Sequence, residues 1–350
     1  MEYRYLGNTG LKVSNLCLGT MTFGENPNRP GQADEKLSHE IMDAFVESGG
    51  NFIDTADCYQ MGLTEKIVGK WLQKQPRRDK IIIATKLAQA MRDDDPNCAG
   101  LSRHHIITNV EESLERLQTS YIDLLYVHVW DHGTPIQETL SALSDLVRCG
   151  KVHYIGASNF TGWQILTASE TSKSLGLEKF CCLQQQYNLI VREIEWEVTE
   201  ACSMTGMGLI PWSPLKGGWL SGKIHRGSQG APTGSRVAFA QETGKANQSG
   251  PDFDSLAAQP RVWNILDQLK KTAASHGKTV AQVAIRWLLQ RPNVPSVVIG
   301  AKTLGQLQDN LGAVSFQLSL EEMKSLDEAS ALPAPYPYEM IQRLNTKRVR

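Results

Sequence analysis

The sequence lacks paired cysteines and long apolar runs. Its seven cysteines are odd in number, scattered and never spaced as CxxC, which is typical of reduced thiols rather than a disulfide framework or a zinc site. No stretch reaches the roughly 18 apolar residues that a transmembrane helix needs. The amino terminus is polar and lacks the apolar segment of a secretory signal. These features predict a cytoplasmic protein without a structural disulfide or a metal site.

The chain also lacks an excess of charge of either sign. Its 350 residues include 36 lysines and arginines against 37 aspartates and glutamates, a net charge of -1. A general attraction to nucleic acid or to an anionic membrane is therefore not expected. Hydrophobic residues make up 41% and charged residues 21%, which is typical of a globular protein. Oligomeric state stays open, with a homo-oligomer among the options.

Short apolar runs alternate with helical patterns along the chain. Most runs are rich in Val, Ile or Leu, as expected of strands buried on both faces of a parallel sheet. Eight such strands separated by helices predict one (β/α)8 barrel domain over residues 1–350. A β-hairpin of residues 3–6 and 11–13 is predicted to cover one end. The predicted strands are 15–19, 51–54, 80–85, 122–128, 152–156, 180–184, 208–212 and 296–300.

Capping residues mark several predicted helices. Ser102 is predicted as an N-cap, and Pro135 stands in the first turn of the following helix. Val283 and Trp287 fall on one apolar helical face. The helices predicted in this way are 102–117, 135–147, 279–289, 303–311 and 320–329.

Two segments fall outside this alternation. Residues 213–260 form a long connection with eight glycines, and connections of this length are usually functional or disordered. A flexible insertion and a flap over a ligand are both open interpretations. The tail, residues 333–350, ends in a basic cluster. It is predicted to be solvated or to pack beside the pocket.

Polar side chains stand where the predicted strands end. The carboxyl-terminal ends of barrel strands meet at one face, which is where barrel enzymes carry their chemistry. A single polar residue there would mean little, but polar endings on every strand predict one polar mouth. The residues are Thr20, Asp54, Lys86, His128, Ser158, Asn159, Gln184, Ser213, Lys302 and Thr303.

Four residues near these ends could together form an acid. Read singly, Asp54 could be a helix cap and Tyr59 a loop aromatic, while Lys86 could face solvent. His128 could be a core histidine. Together, the lysine is expected to lower the tyrosine pKa from its reference value of about 10, and the aspartate to orient the lysine. A neutral histidine could donate a hydrogen bond to a substrate oxygen, which predicts a site for protonating an oxyanion.

A redox cofactor would have to bind at a site that differs from a Rossmann dinucleotide site. No GxGxxG follows the first predicted strand, so a Rossmann site is not expected. The glycine-rich run from Gly217 to Lys223 could offer backbone N–H groups and a cation to a phosphate. Lys302 and Thr303 lie where barrels commonly hold phosphate. Trp212 could be core filler or a flat face for a planar ring.

On these residues the chain resembles the aldo-keto reductases, from about residue 3 to residue 332. The branch it resembles includes bacterial-type members and the potassium-channel beta subunits, because of Trp212-Ser-Pro-Leu215 and Ser221-Gly-Lys223. The stretches that carry the resemblance are Gly19-Thr-Met-Thr-Phe-Gly24, Asn51-Phe-Ile-Asp54-Thr-Ala-Asp-Cys-Tyr59, Ile83-Ala-Thr-Lys86, Tyr121-Ile-Asp-Leu-Leu-Tyr-Val-His128, Gly156-Ala-Ser-Asn159-Phe, Gln184-Gln-Gln-Tyr-Asn188 and Gly300-Ala-Lys-Thr303.

The resemblance implies a (β/α)8 barrel that binds NADPH, with a catalytic tetrad of Asp54, Tyr59, Lys86 and His128. It implies that Trp212 stacks on the nicotinamide and that Lys302 and Thr303 hold the 2′-phosphate. Arg236 would close the flap of residues 213–260. The implied cofactor residues are Gly19, Thr20, Met21, Asp54, Ser158, Asn159, Gln184, Trp212, Ser213, Pro214, Leu215, Gly217, Ser221, Lys223, Arg236, Gly300, Lys302, Thr303, Gln306, Asp309 and Asn310.

Three positions depart from the family pattern. Gln306 stands where many members carry arginine, which weakens the case for a strong NADP preference, and Asp309 replaces a more usual glutamate. Met21 stands where several members place a substrate-facing aromatic. Trp130 could supply that wall or be an ordinary loop aromatic. The predicted substrate-binding residues are Met21, Tyr59, His128 and Trp130.

The resulting hypothesis is an NADPH-dependent carbonyl reductase of the alcohol dehydrogenase type, in which Tyr59 is the general acid. Its substrate would be a small aldehyde or ketone. One alternative is an NADPH-binding regulatory module resembling the channel beta subunits, with slow or vestigial turnover. A barrel lyase or isomerase is a third option, disfavoured by the cofactor motifs.

Overall fold

The central strands run parallel and follow one another around a barrel. A computed structural model describes residues 1–25, 32–243 and 252–346. Within them, a two-stranded hairpin precedes an eight-stranded sheet in the order β10-β3-β4-β5-β6-β7-β8-β9. β9 and β10 also lie against each other, so the sheet is nearly closed. The strands are β1 Tyr3–Tyr5, β2 Lys12–Ser14, β3 Leu16–Gly19, β4 Phe52–Asp54, β5 Ile82–Leu87, β6 Ile122–Val127, β7 Val152–Ser158, β8 Cys182–Gln186, β9 Gly208–Trp212 and β10 Val297–Gly300.

Helices follow the strands and cover the outside of the barrel. Ser102 caps α3 by accepting from the His105 N–H, and Thr279 and Gln282 form a capping box at α10. The predicted helices are therefore confirmed to within about a residue at their starts. The helices are α1 Glu35–Glu47, α2 Leu63–Leu72, α3 Arg103–Leu117, α4 Ile136–Arg148, α5 Gly162–Leu175, α6 Val198–Thr205, α7 Arg236–Thr243, α8 Phe253–Ala257, α9 Pro260–His276, α10 Val280–Leu289, α11 Leu304–Leu311, α12 Leu320–Ser330 and α13 Tyr338–Asn345.

Two layers of apolar side chains hold the barrel together. The outer layer lies between the sheet and the helices and includes Trp71 and Trp287, both almost completely buried. The inner layer fills the barrel and includes Phe52, Ala84 and Tyr126. Leu6 and Val13 of the hairpin belong to the inner layer. The prediction that the hairpin covers one end of the barrel is therefore confirmed.

The long connection after β9 is partly regular. A 3-10 helix, Lys216–Ser221, follows β9 directly, and the short helices α7 and α8 come later. The long connection predicted at 213–260 therefore contains helical segments within its described part, 213–243 and 252–260. Both helices are shorter than three full turns, so their apolar pattern is too brief to detect in the sequence.

The carboxyl-terminal tail lies partly against the barrel. Tyr338 stacks on Trp196 with ring centroids 6.3 Å apart, while Ile341 and Leu344 of α13 are exposed. The predicted basic cluster at 347–350 lies outside the described residues. No helix within the described ranges combines the length and apolarity needed to cross a bilayer.

Candidate active site

The alternation of side chains along the strands directs the tetrad into the barrel. Successive strand residues face opposite sides of a sheet, so a residue two places beyond an inner residue also points inwards. Ala84 belongs to the inner layer, and Lys86 follows it by two residues on β5. Asp54 follows Phe52 in the same way on β4. The same rule applies to His128, Gln184 and Trp212.

Lys86 is the centre of the site. Its Nζ donates to Asp54 Oδ2 at 2.5 Å, to the Thr55 carbonyl at 2.9 Å and to Tyr59 Oη at 3.2 Å. Lys86 and Asp54 are each only 1% exposed. Burial alone lowers the pKa of Lys86, but Asp54 and Tyr59 raise it above its usual value. Lys86 is therefore a fixed cation beside the phenol.

Tyr59 is brought to Lys86 by a strained turn. Gln60 and Met61, which follow it, have φ of 49° and 53° and precede Gly62 at 84°. Burial raises the pKa of Tyr59, and Lys86 opposes this only in part. The prediction that Lys86 leaves this pKa lowered is therefore wrong, because the loss of water around the phenol outweighs the attraction of one cation. Tyr59 consequently keeps its proton at neutral pH.

His128 is neutral and fixed by its neighbours. Burial, followed by the charge of Lys86, lowers the pKa of His128 to about 3. Its ring meets that of Tyr59 edge to face at 6.3 Å, and its backbone carbonyl accepts from Asn159 Nδ2 at 2.9 Å. Asn159 Oδ1 in turn accepts from Trp212 Nε1 at 3.2 Å. The histidine and the tryptophan predicted to contact the nicotinamide are thus linked through Asn159.

Asp54 is held on both sides. Gln184 Nε2 donates to its Oδ1 at 2.7 Å from across the barrel. Thr20 donates to the Asp54 carbonyl from its N–H at 2.9 Å and from its hydroxyl at 3.0 Å. A Cβ on Gly19 would come within 2.8 Å of Val298 Cγ1, so the glycine permits close packing of β3 on β10. Thr20 and Gln184, both predicted to bind a cofactor, therefore also position Asp54.

A buried acidic network lies next to the tetrad and escaped the sequence analysis. Asp57 Oδ2 accepts from Asn109 Nδ2 at 2.9 Å, and Glu65 accepts from Thr85 at 2.6 Å and from Arg116 at 2.6 Å. Burial and the nearby Glu65 raise the pKa of Asp57 to about 7. An acid on the otherwise apolar face of α2 is the signal that could have found Glu65. For Asp57, the sequence offers no signal beyond a second acidic residue in the segment 51–59 that carries Asp54 and Tyr59.

Three potential metal donors also meet here. Donor atoms of Asp57, Cys58 and His128 lie within 4.8 Å of one another. Asp57 Oδ1, however, accepts from the Cys58 N–H at 2.5 Å, and its other oxygen accepts from Asn109. The carboxylate is thus committed to hydrogen bonding, and we assign no metal to this group.

A cleft beside the mouth gathers most of the other predicted cofactor residues. This β9–β10 cleft has a volume of about 310 Å³ and lies between the segment after β9 and the start of α11. Burial, and then the charge of Arg236, lowers the pKa of Lys302. The predicted residues that line it are Ser213, Pro214, Leu215, Gly217, Ser221, Lys223, Arg236, Gly300, Lys302, Gln306, Asp309 and Asn310. Thr22, Thr233 and Ser235 also line it and were not predicted.

Several cleft residues, and the neighbouring Thr303, which is not among the residues that line the cleft, already have structural partners. Thr303 caps α11 by accepting from the Gln306 N–H, and Gln306 Oε1 accepts from the Lys302 N–H at 2.8 Å. Asp309 accepts from Gln282 at 3.0 Å, and Asn310 donates to the Gly300 carbonyl at 3.1 Å. These bonds shape the start of α11 and leave Lys302 as its cationic side chain facing the cleft.

Backbone strain marks the residues that directly follow β7 and β9. Asn159 and Ser213 have φ of 57° and 56°, a left-handed conformation that costs a residue with a Cβ about 1 kcal/mol or more. Asn188 Nδ2 donates to the Ser213 carbonyl at 3.0 Å and holds one of these turns. Strain of this kind concentrates at functional sites.

The predicted substrate wall is only partly assembled around the tetrad. Trp130 packs edge-on against Phe160 and Trp163, with ring centroids 5.2 Å and 5.3 Å away. Trp163 is 52% exposed, and all three follow β6 or β7 on the same face as the tetrad. Met21 is half-buried in the turn after β3. The substrate roles of Met21 and Trp130 stay predictions.

Comparison with known proteins shows the family to which this chain belongs. Residues 15–331 match the model of the aldo/keto reductase family, and the chain belongs to that family. Its relatives include the uncharacterized oxidoreductase YrpG of Bacillus subtilis, 38% identical over 94% of this chain and 95% of the relative. Norsolorinic acid reductase B of Dothistroma septosporum is 33% identical over 97% and 84%, and aldo-keto reductase dtxS3 of Metarhizium robertsii is 36% identical over 94% and 90%.

Membership supports two statements about this chain. It reduces carbonyl compounds of low molecular weight, and it uses a nicotinamide cofactor. These relatives do not favour the alternative of a regulatory module with vestigial turnover.

Proposed function

We propose that this protein is an NADPH-dependent reductase that converts aldehydes or ketones to alcohols, with Tyr59 as the general acid. The observation that carries the proposal is the buried Lys86 Nζ, which donates to Asp54 at 2.5 Å and to Tyr59 at 3.2 Å. The phenol is protonated before the reaction, and the neighbouring cation stabilises the phenolate that forms when the proton is transferred. Such a group suits an acid that acts during reduction.

Each tetrad side chain has a separate role in the reaction at the carbonyl group. The carbonyl carbon would receive a hydride, which is the chemistry that a bound reduced nicotinamide would supply. Tyr59 Oη gives its proton to the carbonyl oxygen, and Lys86 stabilises the phenolate that remains until solvent reprotonates it. Neutral His128 donates a hydrogen bond to the same oxygen and orients it. Asp54 keeps Lys86 charged, because a buried ammonium without a partner would lose its proton.

The residues present fit a phosphorylated dinucleotide. Trp212 and the Asn159 amide provide a flat ring and a polar edge next to His128, which would suit the nicotinamide and its carboxamide. Lys223 and the glycines at 217 and 218 would face the pyrophosphate. Lys302 and Arg236 would hold the 2′-phosphate, because burial and then the charge of Arg236 lower the pKa of Lys302, and an anion there would offset both effects. We therefore propose NADPH over NADH.

Aromatic carbonyl compounds are the first substrates to examine. Trp130, Phe160 and Trp163 form an aromatic cluster on the face that carries the tetrad. Several relatives are named as norsolorinic acid reductases. We propose that the substrate has an aromatic ring that packs on this cluster.

The test is NADPH oxidation with a reactive aromatic aldehyde and with a quinone, in wild type and in Tyr59→Phe. Tyr59→Phe should lose on the order of a thousandfold in kcat with nearly unchanged NADPH affinity, since general acid catalysis contributes about 10² to 10⁴. Tyr154→Phe, a half-buried tyrosine on β7, is the matched control and should turn over normally. Unchanged turnover in Tyr59→Phe would exclude this mechanism.

A further inference from the structure

Cys58 touches the catalytic histidine and has no part in the mechanism above. Its Sγ lies 3.8 Å from Nδ1 of His128, within hydrogen-bonding reach for sulfur. Cys58 directly precedes Tyr59, so one turn carries both side chains to the mouth of the barrel. The contact is made by Nδ1, one of the two ring nitrogens, and does not involve the other nitrogen, Nε2.

The tautomer of His128 matters because this ring is neutral. With a pKa of about 3, the imidazole carries one proton at neutral pH, on either Nδ1 or Nε2. The partner of one nitrogen decides which nitrogen holds the proton. If Nδ1 held the proton, Nε2 would present a lone pair to the carbonyl oxygen, which is also an acceptor.

The thiol is suited to be the donor in this contact. Burial, and then the charge of Asp57, raises the pKa of Cys58 to about 12, so the sulfur keeps its hydrogen. The Asp57 carboxylate is a competing acceptor for that hydrogen. Its oxygens already accept from the Cys58 N–H at 2.5 Å and from Asn109 Nδ2 at 2.9 Å. Asp57 keeps further lone pairs and competes for the thiol hydrogen, while the imidazole Nδ1, 3.8 Å from the sulfur, is the acceptor that the side-chain geometry offers beside it.

Both partners of the contact are held by other bonds. The Cys58 backbone is fixed by Asp57, and Asp57 is fixed by Asn109 on α3. The His128 backbone carbonyl accepts from Asn159 Nδ2 at 2.9 Å. The separation between sulfur and nitrogen is thus set from two sides of the barrel.

We propose that the Cys58 thiol donates to Nδ1 of His128 and thereby keeps the imidazole proton on Nε2, which makes Cys58 a positioning residue for the carbonyl. The tautomer itself follows from contacts of this chain. Its catalytic consequence rests on the proposed function, in which His128 donates to the substrate oxygen.

The test is nitrogen-15 NMR of the protein labelled at histidine, with His128 assigned by the signal lost in His128→Gln. Wild type should show a protonated Nε2 and a bare Nδ1. Cys58→Ala should shift part of the population to protonated Nδ1, and Cys58→Ser should retain the Nε2 tautomer. Cys202→Ala removes a buried thiol from α6 and should leave the His128 signals unchanged.

Kinetics supply the second readout. Cys58→Ala should lower kcat roughly threefold to tenfold, the worth of one neutral hydrogen bond, with little change in the KM for NADPH. Cys58→Ser should recover most of that loss. A wild-type His128 protonated at Nδ1, or a tautomer unaffected by Cys58→Ala, would overturn the proposal. The NMR result does not depend on turnover, so failure of the proposed function would show separately, as full activity in Tyr59→Phe.

Discussion

The tetrad and the β9–β10 cleft differ in how their charges are balanced. In the tetrad, the Lys86 ammonium lies 2.5 Å from a carboxylate, and both groups are almost completely buried. In the cleft, Lys302 lies near another cation, Arg236, and its pKa is lowered. The tetrad is thus electrostatically complete within the chain. In the cleft, burial and the charge of Arg236 lower the pKa of Lys302, and this is the basis for proposing an anionic group of the cofactor there.

The tetrad and the cleft also differ in the elements that carry their side chains. Asp54, Lys86 and Gln184 stand on barrel strands, where the ladder of backbone hydrogen bonds fixes their directions. The cleft draws on the segment after β9 and on the start of α11. Strand-borne groups can be held to the geometry that proton transfer needs, whereas a segment outside the barrel can move to admit a large ligand.

Loss of the tetrad cation is expected to have the largest effect. Lys86→Met leaves Asp54 buried without its partner, which should cost about 3–5 kcal/mol of stability. Turnover should fall by on the order of a thousandfold. Urea unfolding and NADPH oxidation measure the two effects. Lys302→Met, the matched change in the cleft, should leave stability within about 0.5 kcal/mol, and equal losses in the two variants would break the comparison.

The acid beside the tetrad should make stability depend on pH. Asp57 has a pKa of about 7 in the fold, above the unfolded value of about 3.9, so the folded state binds the proton more tightly. Stability should therefore fall as pH rises from about 4 to about 7, by about 2–4 kcal/mol. Asp57→Asn should flatten that slope in urea unfolding followed across this range. A slope unchanged in the variant would show that other groups produce it.

Cofactor discrimination should depend on the cleft alone. Lys302→Met should weaken NADPH binding about 10- to 100-fold, the worth of a charged hydrogen bond, and change NADH binding by less than about twofold. Fluorescence titration with both cofactors measures this. Lys223→Met is the control, because a pyrophosphate contact should weaken both cofactors alike. Equal losses for both cofactors in Lys302→Met would contradict the assignment to the 2′-phosphate.

Relief of strain in the turn after Tyr59 is expected to have the smallest effect on stability. Met61 has a φ of 53° and is 63% exposed, so Met61→Gly removes strain while losing little packing. Stability should rise by about 0.5–1 kcal/mol, whereas Met61→Ala keeps the Cβ and should not gain. Thermal unfolding compares the two. A gain in Met61→Ala as large as in Met61→Gly would refute strain as the cause.

Strand positions were largely predictable, and four strand ends were predicted to the residue, but β5, β7 and β8 end two residues later than predicted. The predicted strand at 80–85 is Ile82–Leu87, and the one at 152–156 is Val152–Ser158. Backbone pairing continues into the mouth of the barrel, whatever the polarity of the side chain, so an apolar run ends before its strand does. Lys86 and Ser158 therefore belong to strands and did not merely follow them.

The roles of the site residues divide in a similar way. Spacing and side-chain type were enough to propose Asp54, Tyr59, Lys86 and His128 as one acid. The link from Gln184 to Asp54 joins residues 130 positions apart, and no local pattern could reveal it. Thr233 and Ser235 line the cleft only because the segment after β9 folds back upon α11.

The sequence by itself determined the succession of strands and helices, because these follow from local periodicity, and its motifs carried the resemblance to the family. Only the tertiary structure decided the protonation of the site. The pKa of Tyr59 and of Asp57 is raised and that of His128 is lowered. Each shift depends first on how much water the surrounding elements remove, which no stretch of sequence states. The contact between Cys58 and His128, 70 residues apart, arises from the same packing.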